Sequence, residues 1–357
     1  MDTANNLIPW LELTERPAFC VKNDVIVAVN TVAARHMLQT GTNIYDIVAE
    51  HLKEYKSFTD GCLYLPITIA DQSYNCNVTR TKEYDIFLID HTEENERLQT
   101  LALAAQHLRI PLSNIMTVTD RLLSSLNKED PAIQKNAEQI SRNLFQLLRI
   151  VGNMSDTSGY QRQSLSGMQT ADLPAIIREV LQKTQAIAES AGLNLQFTDQ
   201  SSPVFGLADS EKLERAIYNL LSNAFKFSKP GSCVEVKLTN TEKQLSFSIC
   251  NTSLENTDFF PVWHRYQRKP AIEDSRYGLG LGMTLISSVA IAHGGTVLID
   301  HPAPNQTRIT MSIAVIDSDT TLCHSPIFRM SDYAGGRDKS LLELSEILSA
   351  DFYKNSI

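Results

Sequence analysis

Two stretches of this sequence repeat apolar residues at alternating spacings of four and three, a rhythm suited to a helix that hides one stripe. In the first stretch the stripe is Leu101, Ala105, Leu108, Leu112, Ile115, Thr119, Leu122 and Leu126; in the second it is Ile133, Ala137, Ile140, Leu144, Leu147, Val151 and Met154. Such a/d seams pack helix against helix. Between them lies Asn127-Lys-Glu-Asp-Pro131, a turn whose proline suits a first helical position. The pair therefore predicts an antiparallel hairpin. One hairpin cannot bury both seams well, whereas two hairpins make a four-helix bundle, so homodimerisation follows as an expectation.

With 357 residues the chain has room for roughly two to three domains. Its 43% hydrophobic and 20% charged content is that of a globular protein. A net charge of -9 argues against nucleic acid as a partner. No run approaches the about 18 apolar residues of a membrane helix, and Met1-Asp-Thr-Ala-Asn-Asn6 lacks the pattern of a signal peptide. The six cysteines are scattered without paired spacing, as buried reduced thiols would be. These features predict a cytoplasmic protein with no membrane insertion.

Before the hairpin, residues 15–92 read as a small α+β domain. Pro17–Val21 and Val25–Val29 are strand-like around a Lys22-Asn-Asp24 turn, a helical patch covers Thr31–Leu38, and Leu63–Ile69 and Asp85–Asp90 are further strands. This order resembles a PAS sensor domain, which implies an unknown small-molecule or protein signal there. The hairpin occupies residues 93–157. A polar, Gly/Ser-bearing hinge follows, and residues 168–316 alternate helices (173–190, 211–227) with strands (234–238, 245–249, 308–313). In the extension, residues 317–357, Leu341, Leu344 and Leu348 stand at helical spacing and predict an amphipathic helix packed on the preceding domain. A regulatory role for that helix is the alternative.

Chemistry is concentrated in two runs. Asn219, Asn223 and Lys226 share one helical face, because their spacings are four and three. Amide oxygens suit Mg²⁺, and a lysine one turn on suits phosphate as a point charge. Downstream, Arg276-Tyr-Gly278-Leu-Gly280-Leu-Gly282-Met283 is dense in glycine, so backbone amides there can approach a phosphate closely. Together the runs resemble the N and G2 boxes of the Bergerat-fold ATPases, the sensor histidine kinases in particular. The resemblance implies ATP and Mg²⁺ as cofactors, with Asn223 as metal ligand, Asn219 its neighbour, Lys226 on phosphate, and Gly278, Gly280 and Gly282 as the amide cradle. Val262–Arg268, with Trp263 and Tyr266, is similar to the F box. His293 would end the following helix structurally, with Gly294 and Gly295 taking the turn. At the G1 position the chain reads Ile249-Cys-Asn251-Thr-Ser253, so Asn251 stands where the family's aspartate accepts a hydrogen bond from adenine, and Ser253 replaces a glycine.

The first heptad helix contains Ala105-Gln-His-Leu-Arg-Ile-Pro-Leu112, which resembles the H box when registered by Leu108, Arg109, Pro111 and Leu112. In that register Gln106 holds the phosphoacceptor position and His107 the next one. A one-residue shift turns a side chain by about 100° around a helix. Two readings of His107 stay open: a displaced phosphoacceptor and a solvated surface histidine.

The architecture the resemblance implies is a multidomain one. It comprises an α+β PAS-like sensor, an α-helical hairpin forming a dimeric four-helix bundle, and an α/β-sandwich Bergerat-fold ATPase domain. The implied function is a cytoplasmic sensor histidine kinase passing the ATP γ-phosphoryl to a histidine and then to a response regulator receiver domain. The alternatives are an inactive ATP-binding dimer that modulates a phosphorelay, and a plain ATPase.

Overall fold

The computed structural model describes residues 8–9, 11–14, 16–35, 38–90, 92–125, 130–156, 168–253, 281–315, 334 and 337–354. The N-terminal part is an antiparallel sheet with short helices between its second and third strands. Its strands are β1 (Ala18–Lys22), β2 (Val25–Val29), β3 (Gly61–Ile69), β4 (Gln72–Arg80) and β5 (Asp85–Ile89), in spatial order 2-1-5-4-3. The intervening helices are α1 (Thr31–Arg35), α2 (Ile44–Ile47) and α3 (Leu52–Ser57). Strand β4 has no counterpart in the sequence reading, because Gln72-Ser-Tyr-Asn-Cys-Asn is too polar for a strand pattern. The hairpin forms through Ala70 and Asp71, both left-handed at φ 48° and 61°, and through full pairing of β4 with β3 and β5. Inside, Phe19 and Phe87 stack at 4.6 Å against a core that includes Ile44, Leu65 and Val78.

The predicted hairpin is α4 (Thr92–Ser125) and α5 (Pro131–Asp156), with Pro131 at the start of α5. Pro111 lies inside α4 without interrupting it. Only half of each heptad seam is covered within one chain. Ala105, Leu112, Leu144 and Val151 are buried, whereas Leu108, Ile115, Leu122 and Leu147 are 51, 54, 59 and 49% exposed. Met116, Leu123, Phe145 and Leu148 complete the buried side instead. Burial along the two helices thus follows a face rotated from the a/d line, and a strip of large apolar side chains is left exposed.

The C-terminal half layers helices over a sheet. β6 (Gln169–Asp172) pairs with β8 (Phe205–Ala208) as a small ribbon. The larger sheet takes β7 (Asn194–Asp199), β9 (Cys233–Asn240), β10 (Gln244–Thr252), β11 (Val297–Asp300) and β12 (Gln306–Ala314). α6 (Leu173–Ser190), α7 (Ser210–Phe227) and α8 (Leu281–Ala292) pack with this sheet around a single apolar core. Strict alternation of buried and half-buried residues along β10 is the period-2 pattern expected of a strand with one face on a core.

The two sheets are one. β3 pairs antiparallel with β11, Leu63 opposite Leu298, giving the order β2-β1-β5-β4-β3-β11-β12-β10-β9-β7. At this junction Gly61 has φ +93°, and a Cβ there would lie 1.9 Å from the Ile299 carbonyl oxygen. Only glycine fits so close a backbone approach. Gln244 reinforces the join by donating to the Glu54 carboxylate at 2.7 Å. Among the described residues no helix is long and apolar enough to cross a membrane.

Candidate nucleotide site

Helix α7 begins where Asp209 accepts a hydrogen bond from the Lys212 amide at 3.2 Å as its N-cap. Leu213, Ile217, Leu220, Leu221 and Ala224 drive one face into the core. That burial fixes the rotation of the helix, and so the direction of Asn219, Asn223 and Lys226. The start of α8 comes to the same place. A Cβ built on Gly282 would stand 3.5 Å from Asn219 Oδ1 and 3.7 Å from Asn223 Nδ2. Gly282, the described end of the glycine run, therefore lies beside the asparagine helix, about 60 residues away in sequence, with room for no more than a side-chain methyl between them.

The far end of α7 is tied to the G1-like strand. Ser228 bridges Ser253, and the Lys229 amide donates to the Thr252 carbonyl at 2.8 Å. Asn251, on β10 opposite Thr307, is buried at 6% exposure. Its amide nitrogen has no hydrogen-bond partner among the described residues. A buried donor left in this state costs about 1–3 kcal/mol. An adenine ring nitrogen would satisfy it, and this orphaned donor is the observation by which the site fits a nucleotide. Gly278, Gly280, Trp263 and Tyr266 lie outside the described residues.

Other predicted site residues are already engaged. Asn219 is almost fully buried, donates to the Arg215 carbonyl at 2.9 Å and accepts from Arg149 Nη2 at 3.4 Å. Lys226 contacts Glu346 Oε2 at 2.7 Å. Burial opposes ionisation of Glu346, yet Arg149 and Lys226 hold its carboxyl below the ordinary value. Sequence reasoning missed Arg149, Arg215, Glu343 and Glu346. The leucine stripe of the extension marked that segment as one that docks, but no local pattern announced its acidic contacts.

His107 and Gln106 are both exposed on α4, and the His107 side chain has no ion pair or hydrogen bond among the described residues. The neighbouring Arg109 is half-buried and lines a small cavity with Arg149, Arg215 and Leu342.

His293 ends α8 in a structural role. Its Nε2 accepts from the Asp209 amide at 3.1 Å, which leaves Nδ1 to donate to the Val289 carbonyl at 2.7 Å, and Gly294 follows in the left-handed region at φ 68°. The ring is neutral in this arrangement, and burial lowers its pKa from the ordinary 6.5. The unfolded chain takes up this proton near the ordinary value and the folded one only at lower pH, so the stability is complete above that value and is lost as pH falls. His293→Gln should therefore show a smaller fall in Tm between about pH 7.5 and 5 than the unaltered chain, read by thermal denaturation. An equal or larger fall would contradict the assignment.

Residues 208–316 match the family model of the histidine kinase-, DNA gyrase B- and HSP90-like ATPases. The chain is 26% identical over 237 residues to hybrid signal transduction histidine kinase D of Dictyostelium discoideum, covering 63% of this chain and 15% of that protein. It is 28% identical over 203 residues to the sensor histidine kinase CusS of Escherichia coli O157:H7, covering 55% and 41%. Residues 208–316 are thus an ATPase domain of this kind, and the relatives that extend beyond it are sensor histidine kinases.

The chain spans less than half the length of those curated proteins. A solved mycobacterial sensor histidine kinase, MprB, aligns at 25% identity with a TM-score of 0.34, covering 42% of this chain and 97% of that one. The matched family segment contains α7, β10, α8 and β12, and hence every described residue of the candidate nucleotide site from Asn219 to Gly282. His107 lies outside it.

Proposed function

We propose that this protein is a sensor histidine kinase-like ATP-binding protein of a two-component system. The observation that carries the reading is the meeting of Gly282 with Asn219 and Asn223 inside the matched ATPase segment. Asn223 would hold Mg²⁺, which supplies neutralisation of phosphate charge when bound. Lys226 would contact phosphate, Gly278, Gly280 and Gly282 would admit it to backbone amides, and Asn251 would meet the adenine edge. Because Asn251 is uncharged, its hydrogen bond lacks the charge assistance of a carboxylate, and adenine affinity is expected to be modest. The strip of Leu108, Ile115, Leu122 and Leu147 would be covered by a second copy, completing a four-helix bundle. The N-terminal sheet would be the PAS-like sensor that receives the signal, and a response regulator receiver domain would be the downstream acceptor.

His107 is the candidate phosphoacceptor of the H-box-like segment. Its exposure leaves the imidazole accessible, but no acid follows it in sequence to act as base. The second reading, an ATP-binding dimer that modulates a phosphorelay without phosphorylating itself, is favoured by Gln106 at the acceptor position. Incubation of the purified chain with γ-labelled ATP and Mg²⁺ separates them. The kinase reading expects acid-labile label that disappears in His107→Ala. ATP binding with no protein label would reject it in favour of the modulator, and free phosphate alone would indicate an ATPase.

A further inference from the structure

The extension after β12 reaches back into the cleft between the hairpin and the nucleotide helix. Its helix α9 (Lys339–Glu343) is shorter than the leucine stripe suggested, and a turn and a 3-10 segment (Ala350–Tyr353) continue it. Leu342, Leu344, Leu348 and Tyr353 are buried, with Tyr353 edge-on to Phe145 of α5 at 5.0 Å. Polar contacts bind the segment to both neighbours. Gln146 donates to the Ser345 carbonyl at 2.9 Å on the hairpin side, and Tyr218 and Ser340 share a hydrogen bond of 2.8 Å on the α7 side.

Three cationic side chains converge on two carboxylates in this cleft. Glu343, wholly buried, lies 3.3 Å from Arg149 Nε and 3.2 Å from Arg215 Nε. Glu346 lies 3.1 Å from Arg149 Nη1 and 2.7 Å from Lys226 Nζ. Arg149 reaches onward to Asn219. The cleft therefore selects anions, and the segment fills it from within the same chain.

We propose that residues 337–354 are an intramolecular anionic ligand of the nucleotide site, with the Glu346 carboxylate and a nucleotide phosphate as alternative occupants of Lys226. This rests on Lys226 being a phosphate contact. The lysine ammonium recognises either anion as a point charge. Two anions placed side by side on it repel in a partly buried, low-dielectric setting, so each weakens the other's binding. By linkage, docking of the segment lowers nucleotide affinity and nucleotide lowers docking by the same factor. Because Glu343 joins Arg149 of the hairpin to Arg215 of α7, loosening the segment also loosens the hold of the ATPase domain on α5. Nucleotide entry would then free that domain to move relative to His107.

The test is titration of the full chain, and of its Glu346→Gln variant, with a fluorescent ATP analogue and Mg²⁺. Glutamine keeps the shape and the apolar docking contacts while removing the competing charge. Glu346→Gln is expected to bind about tenfold more tightly, the scale of one charge-assisted contact. Asp351→Asn, which alters an exposed acid of the same segment, should bind as the unaltered chain does. Saturating the unaltered chain with nucleotide should also speed amide hydrogen exchange across residues 341–353. Nucleotide binding that is unchanged or weaker in Glu346→Gln overturns the competition and leaves the nucleotide reading standing, as does exchange that is unchanged or slowed at saturation. Absence of binding by both proteins at millimolar nucleotide overturns the nucleotide reading and the competition with it.

Discussion

Replacing Glu343 by alanine is expected to destabilise the docked form of this protein by about 3–5 kcal/mol, the range for removing one partner of a buried ion pair. The carboxylate is wholly buried between Arg149 and Arg215, which are themselves almost inaccessible. Its removal leaves two guanidinium groups with less charge compensation in a low-dielectric cleft. The loss has a ceiling, because the segment can leave and let water reach both arginines. Amide exchange should therefore become fast across residues 339–353 while α7 and β10 keep their protection. The triple replacement of Arg149 and Arg215 by methionine and Glu343 by leucine is expected to lose less than Glu343→Ala alone, since the buried charges go together and Glu346, which loses Arg149, keeps Lys226. Unaltered exchange in the segment together with an unchanged Tm in Glu343→Ala would show that the buried triad contributes nothing to docking.

The second large effect is on ligand binding. Asn223→Ala is expected to weaken Mg²⁺-ATP binding on the order of 100-fold, since even supporting partners of a metal site typically contribute 10–100-fold. Asn223 is only half-buried, so its truncation should cost little stability. Calorimetric titration with and without Mg²⁺ isolates the role. Nucleotide in the presence of chelator should bind the variant and the unaltered chain alike. An equal loss in both conditions would assign Asn223 to phosphate or base and remove it from the metal.

Local signals carried far in this sequence where one helix or strand sufficed. The asparagine helix was legible from the four-and-three spacing of Asn219, Asn223 and Lys226, and it forms as Ser210–Phe227. The hairpin was legible from its heptads, and the exposed Leu108, Ile115 and Leu122 keep the half of the seam that one chain leaves uncovered. Strand β4 was not legible, because its polar residues hold strand geometry only through neighbours on both sides.

The sequence by itself determined which segments could face a phosphate and which helices would seek partners, because both follow from spacings of three and four along a helix. Only the tertiary structure decided what stands at Lys226, where two sheets become one, and how deeply the C-terminal segment enters the cleft between α5 and α7. Those are contacts between residues far apart in the chain, Lys226 with Glu346 and Leu63 with Leu298. No local pattern encodes such a pair. It exists because burial of Leu344, Leu348 and Tyr353 brings the carboxylates to the cations that neutralise them.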